Sequence, residues 1–559
     1  PKDLFNKWWD RSNQPREGNL QIAHRQKFGK LDLVAGANLF NESSYMRGND
    51  RDTSGGIDIM PNFTQAARAS VNLRYRISEK LFIGLNTNVN IGKQNRHLFW
   101  DTWMKPKPNG FGVEFNENHP GYYEAANEAI PIRGQYFRIT VDPSVTAYDN
   151  FGGRHRVQSR YYHITNDNEN LQSNSSDYGY LEYQYQRRFE QLQGLEVAAG
   201  VVGSLSHVTA EVYGNNSFDL GNFAAYLQLD KKFFDRLNVS VGIRYELNHL
   251  NGPDSIFFRP SALIPGSIIR APDTTEAKPV LRFGMNYRIA SATFLRASWG
   301  QAYRFPTILE KFVSTSTGTL GIGPNPKLTS ETGWSAEIGI KQGFKIGNWQ
   351  GYLDLAGFWS EYYNMMEFQF LLLYFQVKNV GNTRILGGEI SLMGQGKIGP
   401  VSLDIVSGYN YIDPRYTNFD ASIDGVPIVN TTSDKINILK YRSRHSAKLD
   451  VQANYKDFGA GITFQYMSFM ENIDSYLDAE DKFPSIRAFR DRADVQAGAF
   501  ILNARLSYKY EFVKVSVLGN NLLNYEYWLR PGRLEAPRNI ALRLDFNIEG
   551  KEKTAVKPM

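Results

Sequence analysis

The side chains able to carry catalysis or hold a metal are dispersed in this 559-residue chain. Its eight histidines stand at 24, 97, 119, 155, 163, 207, 249 and 445. His155 and His163 would share one face of an extended segment, but at about 3.3 Å per residue they stand roughly 26 Å apart, too far for one ion. Cysteine is absent, which excludes disulfides and thiolate metal sites. Asp413, Asp420 and Asp424 lack calcium-loop spacing and read as solvated loop carboxylates. Gly321-Ile-Gly323 and Gly394-Gln-Gly-Lys397 are turn glycines without the strand-to-helix context of a phosphate loop. No Ser/His constellation assembles at one height. The chain is expected to be no enzyme and to need no metal or cofactor.

What is abundant is aromatic chemistry: 32 Tyr, 35 Phe and 9 Trp, 14% of the chain. Phe99, Trp100, Trp103, Phe111, Phe115, Tyr122 and Tyr123 crowd one polar stretch, and Tyr362, Tyr363, Met365, Met366, Phe368, Phe370 and Tyr374 crowd another. Planar groups with few charges suit stacking on a sugar, a catecholate ring or a peptide, and suit a small bare anion poorly. Trp100, Trp103, Tyr122, Tyr123, Tyr362, Tyr363, Met365 and Met366 are therefore the candidate ligand-binding residues. The bland alternative is a loop mini-core or a contact with a surface lipoprotein.

The elements that must position these groups alternate with period two. Val239, Val241, Ile243, Tyr245 and Leu247 interleave with Ser240, Gly242, Arg244 and Glu246. The same two-faced pattern recurs from Leu281 to Ile289, from Lys448 to Tyr455 and from Ile540 to Phe546. A soluble sandwich also alternates, but here long charged residues fill the polar face strand after strand, and the apolar face often ends in Tyr, Phe or Trp. An apolar outside with aromatic girdles and a polar inside describes a transmembrane β-barrel. The longest apolar run, Phe370 to Phe375, falls far short of the roughly 20 residues of a membrane helix.

Tight connections near 28–30, 78–79, 150–153, 190–194, 235–236, 290–291, 345–349, 397–400, 456–459 and 511–512 alternate with polar segments. These lie near 42–66, 93–134, 166–177, 213–220, 249–278, 303–331, 362–378, 412–441, 469–497 and 524–537. The scheme counts about 21 strands; the first runs into a short turn and the last follows a long loop, so both descend, an odd parity, whereas a single-chain bacterial barrel closes with an even number. The expected fold is all-β, an antiparallel transmembrane barrel of about 22 strands with its first strand missing from this chain; the resemblance described below implies an N-terminal plug domain, also missing. Residues 1–19 would be an extracellular loop remnant, 20–548 the barrel and 549–559 a periplasmic tail. A barrel of that size is of the class whose lumen is plugged.

The Arg296-Ala-Ser-Trp-Gly-Gln-Ala-Tyr-Arg-Phe-Pro-Thr307 stretch, Asn325-Pro-Lys-Leu-Thr-Ser-Glu331 followed by Glu337-Ile-Gly-Ile-Lys341, Asn379-Val-Gly-Asn-Thr383 running to Gly388-Glu389, and Gly519-Asn-Asn-Leu-Leu-Asn-Tyr525 with Arg530-Pro-Gly-Arg533 and Pro537-Arg-Asn539 occur in order. With them the chain resembles the C-terminal barrel of a TonB-dependent outer-membrane receptor, in a style similar to receptors of the Bacteroidetes. The resemblance implies an outer-membrane importer of a siderophore, oligosaccharide, peptide or cofactor, its ligand captured by long extracellular loops and released when TonB moves the plug. The C-terminus would be periplasmic. Arg244, Glu246, Arg282, Glu337 and Glu389 would face the lumen and hold the plug, or else be merely solvated there. Implied partners are outer-membrane lipid and lipopolysaccharide, the plug domain of the same precursor and a TonB-type energy-transducing protein, with a surface lipoprotein as a further candidate. Nucleic acid is not expected, because 63 basic and 57 acidic residues are interleaved without a basic block. The competing function is a plugless or partner-plugged barrel serving as a pore, secretion channel or scaffold.

Overall fold

A computed structural model describes residues 15–51, 57–96, 104–106, 113–115, 132–169, 171–258, 266–317, 320–370, 374–419, 422–423, 426–427, 436–474, 477–478, 484–531 and 533–548. Its dominant element is one 21-stranded sheet in which each wall strand pairs antiparallel with the next. The wall starts at Arg16–Phe28, slightly ahead of the expected Leu20, and ends at Asn539–Phe546. No helix among the described residues is long and apolar enough to cross a membrane, which says nothing against a barrel.

Every short connection falls where the sequence places it, and each is two to five residues long. Gly29 and Gly399 occupy them at φ +58, the left-handed region a two-residue hairpin turn requires. At the opposite end three expectations change. Residues 42–51 and 57–66 belong to strands Leu31–Arg51 and Ile57–Arg76, so this hairpin projects as sheet rather than loop. The connections at 166–177 and 213–220 shrink to 169–173 and 211–215, five residues each, because ladder pairing absorbs their polar ends. Polarity signals solvent, and strand ends are solvated too.

Both faces of a single-sheet wall are accessible, so exposure alone does not separate them; the chemistry of the cross-strand rows does. Directly opposed residues share a face. One such row reads Phe233, Leu237, Tyr287, Leu295, Ile340, Leu355, Ile390, Tyr409, Ala447, Tyr466 and Phe500. The neighbouring row on the other face reads Lys232, Asn238, Asn286, Arg296, Gly339, Ala356, Glu389, Asn410 and Ser446. A one-residue slip in any pair would break both rows, so the register is strongly specified. The first row marks the outward, lipid-compatible face.

The wall is one layer thick, and the buried apolar clusters sit at the long-connection end. The largest gathers Ala210, Tyr213, Phe218, Leu250, Ile256, Ala271, Ile308 and Phe312. Others centre on Met470, Ile473, Leu477 and Ile486, on Leu328, Met366 and Val377, and on Val380, Tyr416 and Leu439.

Candidate functional site: the loop cap and the inner wall

Connections 305–330 and 364–382 build a cap. Thr315–Thr317, Leu320–Gly323, Tyr374–Asn379 and Met366–Phe370 form a four-stranded sheet, in which Leu320–Gly323 runs parallel to Tyr374–Asn379. The one-turn helix Ile308–Phe312 anchors it. Thr307 Oγ1 accepts from the Glu310 N–H at 3.2 Å, and Glu310 Oε2 accepts from the Thr307 N–H at 2.9 Å, a reciprocal capping box. Phe312 stacks on Phe218 at 4.3 Å, pinning the helix to the neighbouring sector.

The sequence motifs act here as mechanical joints. Arg304 bridges Glu310 at 2.7 Å and Glu331 at 3.2 Å. Burial alone would raise the Glu310 carboxyl, yet hydrogen bonds from the Thr307 N–H and Arg304 hold it below its usual range. Asn325 Nδ2 donates to the Val377 carbonyl at 2.8 Å. Asn379 accepts from the Thr329 N–H at 3.1 Å and donates to the Thr329 and Asn364 carbonyls at 3.0 and 2.7 Å. At the closing hairpin Asn521, at φ +48, donates to the carbonyls of Tyr525 and Ala536 and accepts from the Tyr525 N–H. An amide side chain supplies donor and acceptor together, which is why asparagine recurs where two loops must be held.

Beneath the cap lies a polar cluster that sequence reasoning missed. Lys440 and Asp474 face each other at 3.5 Å, each side chain 1% exposed. Lys440 also donates to the Phe368 carbonyl at 3.2 Å, and the Tyr416 hydroxyl donates to Glu367 at 3.0 Å. Burial pushes the Glu367 carboxyl above its ordinary range, with Lys440 and the Tyr416 hydroxyl opposing. Lys311, 1% exposed, donates to the Leu328 carbonyl at 2.9 Å, and burial lowers its pKa. Isolated charges on loops carry no periodicity, so no sequence signal marked them.

The loop candidates separate. Met366 is buried with Leu328 and Val377, and Met365 packs against Val380, Tyr416 and Leu439. Both pack within the cap, where unbranched thioethers fill irregular gaps between loops. Tyr363 follows Trp359 and Glu361 on the outward face, where Trp359 donates to Glu361 and Arg384 pairs with it, so Tyr363 belongs to the outer aromatic girdle. Tyr362 alternates to the inward face and is half-buried. Trp100, Trp103, Tyr122 and Tyr123 lie outside the described residues. An aromatic recess between Tyr441, Phe469, Phe489, Tyr525 and Trp528 measures about 120 Å³, below the roughly 300 Å³ at which ligand pockets begin.

The inner wall carries carboxylate–arginine ties. Arg160 grips Asp142 at 2.7 and 2.8 Å, and Arg505 grips Asp450 at 2.7 and 2.8 Å. Arg244 pairs with Glu246 at 2.8 Å, and Arg296 pairs with Glu337 at 2.9 Å and with Asp354. Each solvated pair contributes about 0.2–1 kcal/mol, too little to hold the wall, whose ladder does that. Arg282 and Glu389 are exposed on the same face, and neither has an ion pair among the described residues. The arrangement presents hydrogen-bonding groups all along an inner surface.

A family model described as "TonB dependent receptor-like, beta-barrel" matches residues 6–522. Among solved structures, the ferric-catecholate import receptor Fiu from K12 E. coli superposes with TM-score 0.69 at 14% identity, covering 96% of this chain and 80% of that one. The copper transporter OprC gives TM-score 0.64 at 15% identity, covering 95% and 81%. The siderophore receptor PirA from Pseudomonas aeruginosa gives 0.60 at 11%, covering 95% and 76%. At these identities the likeness concerns fold. A curated relative, hemoglobin-haptoglobin-binding protein A of Haemophilus influenzae, is 25% identical over 193 residues, 33% of this chain and 17% of that protein.

Proposed function

Because the chain belongs to the TonB-dependent receptor-like β-barrel family, a family of the bacterial outer membrane, we propose that it is the barrel of an energised importer of a scarce nutrient. The loop cap and the segments beside it capture the ligand at the cell surface. A plug domain of the same precursor fills the lumen, and a TonB-type partner moves it to let the ligand through. A siderophore, an oligosaccharide, a peptide or a cofactor all fit an aromatic, amide-rich loop surface.

The observation that supports this reading best is the polar inner face, on which Arg282 and Glu389 have no ion pair among the described residues. Charged and hydrogen-bonding groups of this kind are what a folded plug in the lumen would pair with. The sheet edges point the same way. Arg16–Phe28 pairs only with Leu31–Arg51, and Asn539–Phe546 only with Val513–Asn520, among the described residues. Both edge strands run toward the short-turn end of the wall, so one strand of opposite direction would fit between them and close it. Peptide mapping of the natural protein tests the reading: a plug-like segment and one further strand upstream of Pro1 are expected. A signal peptide joined directly to Pro1 would overturn it in favour of an unplugged pore or scaffold.

A further inference from the structure

One outward sector of the wall combines a low rim with an alternating relief. It spans the strands Arg154–Asn168, Asn174–Phe189, Leu195–Ala210 and Asn216–Phe233, whose long-end connections, 169–173 and 211–215, are five residues each, whereas 305–330 and 364–382 build the cap. Its outward rungs, read across the four strands, are His163, Asp177, His207 and Asp219, then Tyr161, Gly179, Leu205 and Gly221, then Ser159, Leu181, Gly203 and Phe223. His163 Nδ1 meets Asp177 at 2.9 Å, and His207 Nδ1 meets Asp219 at 2.7 Å. Twelve residues separate Leu195, at the short-turn end, from His207. At about 3.3 Å per residue and a tilt of about 40° that is about 30 Å of height, past an apolar band about 25 Å tall. The charged rung therefore stands above the hydrocarbon, and the two glycine-bearing rungs lie at its upper edge.

Large and small side chains alternate both along these two rungs and between them, so the surface is a set of diagonal ridges and grooves, with a cavity of about 610 Å³ against Leu181, Leu205 and Phe223. On one diagonal Leu181, Leu205 and Asp219 rise beside Ser159, Gly179 and His207; on the other Phe223, Leu205 and Asp177 rise beside Gly203, Gly179 and His163. On both, a ridge headed by an aspartate borders a groove headed by a histidine. A Cβ on Gly179 or Gly203 would meet nothing within 4 Å, and neither glycine has a positive φ, so wall packing and backbone geometry leave both unexplained. Interior strand glycine weakens a sheet and marks close approach by a ligand or another backbone. Strands about 4.8 Å apart with a two-residue repeat of about 6.7 Å put the diagonals about 35° from the strand axis. A strand tilt of about 40° then brings one diagonal within about 10° of the membrane normal.

We propose that this sector is where two copies of the chain meet, side by side in the membrane, about a two-fold axis along the membrane normal. Two copies inserted in the same sense are related by such an axis, and their contact is then isologous. Placed between a ridge and its neighbouring groove, the axis lays each ridge in the other copy's groove, so that Leu205 of each copy enters beside Gly179 of the other. It also sets the aspartate that heads each ridge beside the histidine that heads the facing groove, Asp219 with His207 on the first diagonal or Asp177 with His163 on the second. Charge complements charge where shape complements shape. Fluid acyl chains follow any contour and select no such order, whereas a second barrel needs both the matched relief and the low rim that lets it approach.

Native mass spectrometry of the full-length protein, extracted from its outer membrane in mild detergent, tests this, and a dimer at twice the chain mass is expected. Gly179→Leu with Gly203→Leu fills the grooves and should cut the dimer fraction at least tenfold while the heat-modifiable gel mobility of a folded barrel persists. Should that variant fail to fold, the charged rung decides. A chain carrying Asp177→His with Asp219→His and a chain carrying His163→Asp with His207→Asp should each stay monomeric alone. Co-expressed, they should form a heterodimer, although each still lacks its own His–Asp pairs. A monomeric wild type, an undiminished dimer in the folded glycine variant, or charge variants that stay apart when co-expressed overturns the proposal. So does a different chain, or lipid alone, found in the place of the second copy.

Discussion

Neighbouring residues of opposite fate show how the wall chooses its faces. Ile243 lies on the outward face, 46% exposed, while Arg244 turns inward to Glu246. Placing Arg at Ile243 sets a guanidinium in hydrocarbon at about 2–4 kcal/mol near the midplane. Arg244→Ala loses a solvated ion pair worth about 0.2–1 kcal/mol. Ile243→Arg is expected to depress insertion yield and urea midpoint in lipid vesicles, and Arg244→Ala to leave both nearly unchanged; equal damage would mean that the faces are misassigned. The same logic separates the paired tyrosines. Tyr362→Ala is expected to weaken ligand capture, whereas Tyr363→Ala, on the girdle, leaves it unaltered, as whole-cell uptake would show. A matching loss from both would place the ligand against the outer rim.

At the scale of elements, the cap depends on a few polar joints. Thr307→Ala removes the N-cap of Ile308–Phe312 at about 1 kcal/mol, so amide exchange across 308–312 should accelerate about fivefold while the wall strands keep their protection. Unchanged exchange would show that the Phe312–Phe218 stack alone anchors the helix. Glu367 makes the cap responsive to pH. Its folded-state pKa is raised by burial, so the unfolded segment gives up its proton first as pH rises. The stability of this joint is full below the ordinary carboxyl range and is lost as pH climbs through the folded value. The protection factors of strand Met366–Phe370, corrected for base-catalysed intrinsic exchange, should therefore be higher at pH 5 than at pH 8, and Glu367→Gln should remove that difference. Retention of the difference in the Gln variant would assign it to another group.

For the whole molecule, function depends on what closes the wall and what fills it. If a plug occupies the lumen, the natural protein in planar bilayers should pass no steady ion current, and deletion of the segment upstream of Pro1 should open a large conductance. A large current from the intact protein would favour the passive-pore reading.

The sequence by itself determined the all-β class, the ten short turns and the placing of Arg244, Arg282, Glu337 and Glu389 on the polar face of the sheet. Strand alternation is a local property with period two, and a turn is decided by the residues inside it. The motifs also identified the family, although not that Thr307, Asn325, Asn379 and Asn521 serve as loop joints. Only the tertiary structure decided which loop side chains become core, as Met365 and Met366 did. It alone brought Lys440 to Asp474 across 34 residues and lined up His163, Asp177, His207 and Asp219 in one row. Those contacts join segments distant along the chain, and their positions follow from sheet register and loop packing summed over many strands, which no local pattern encodes.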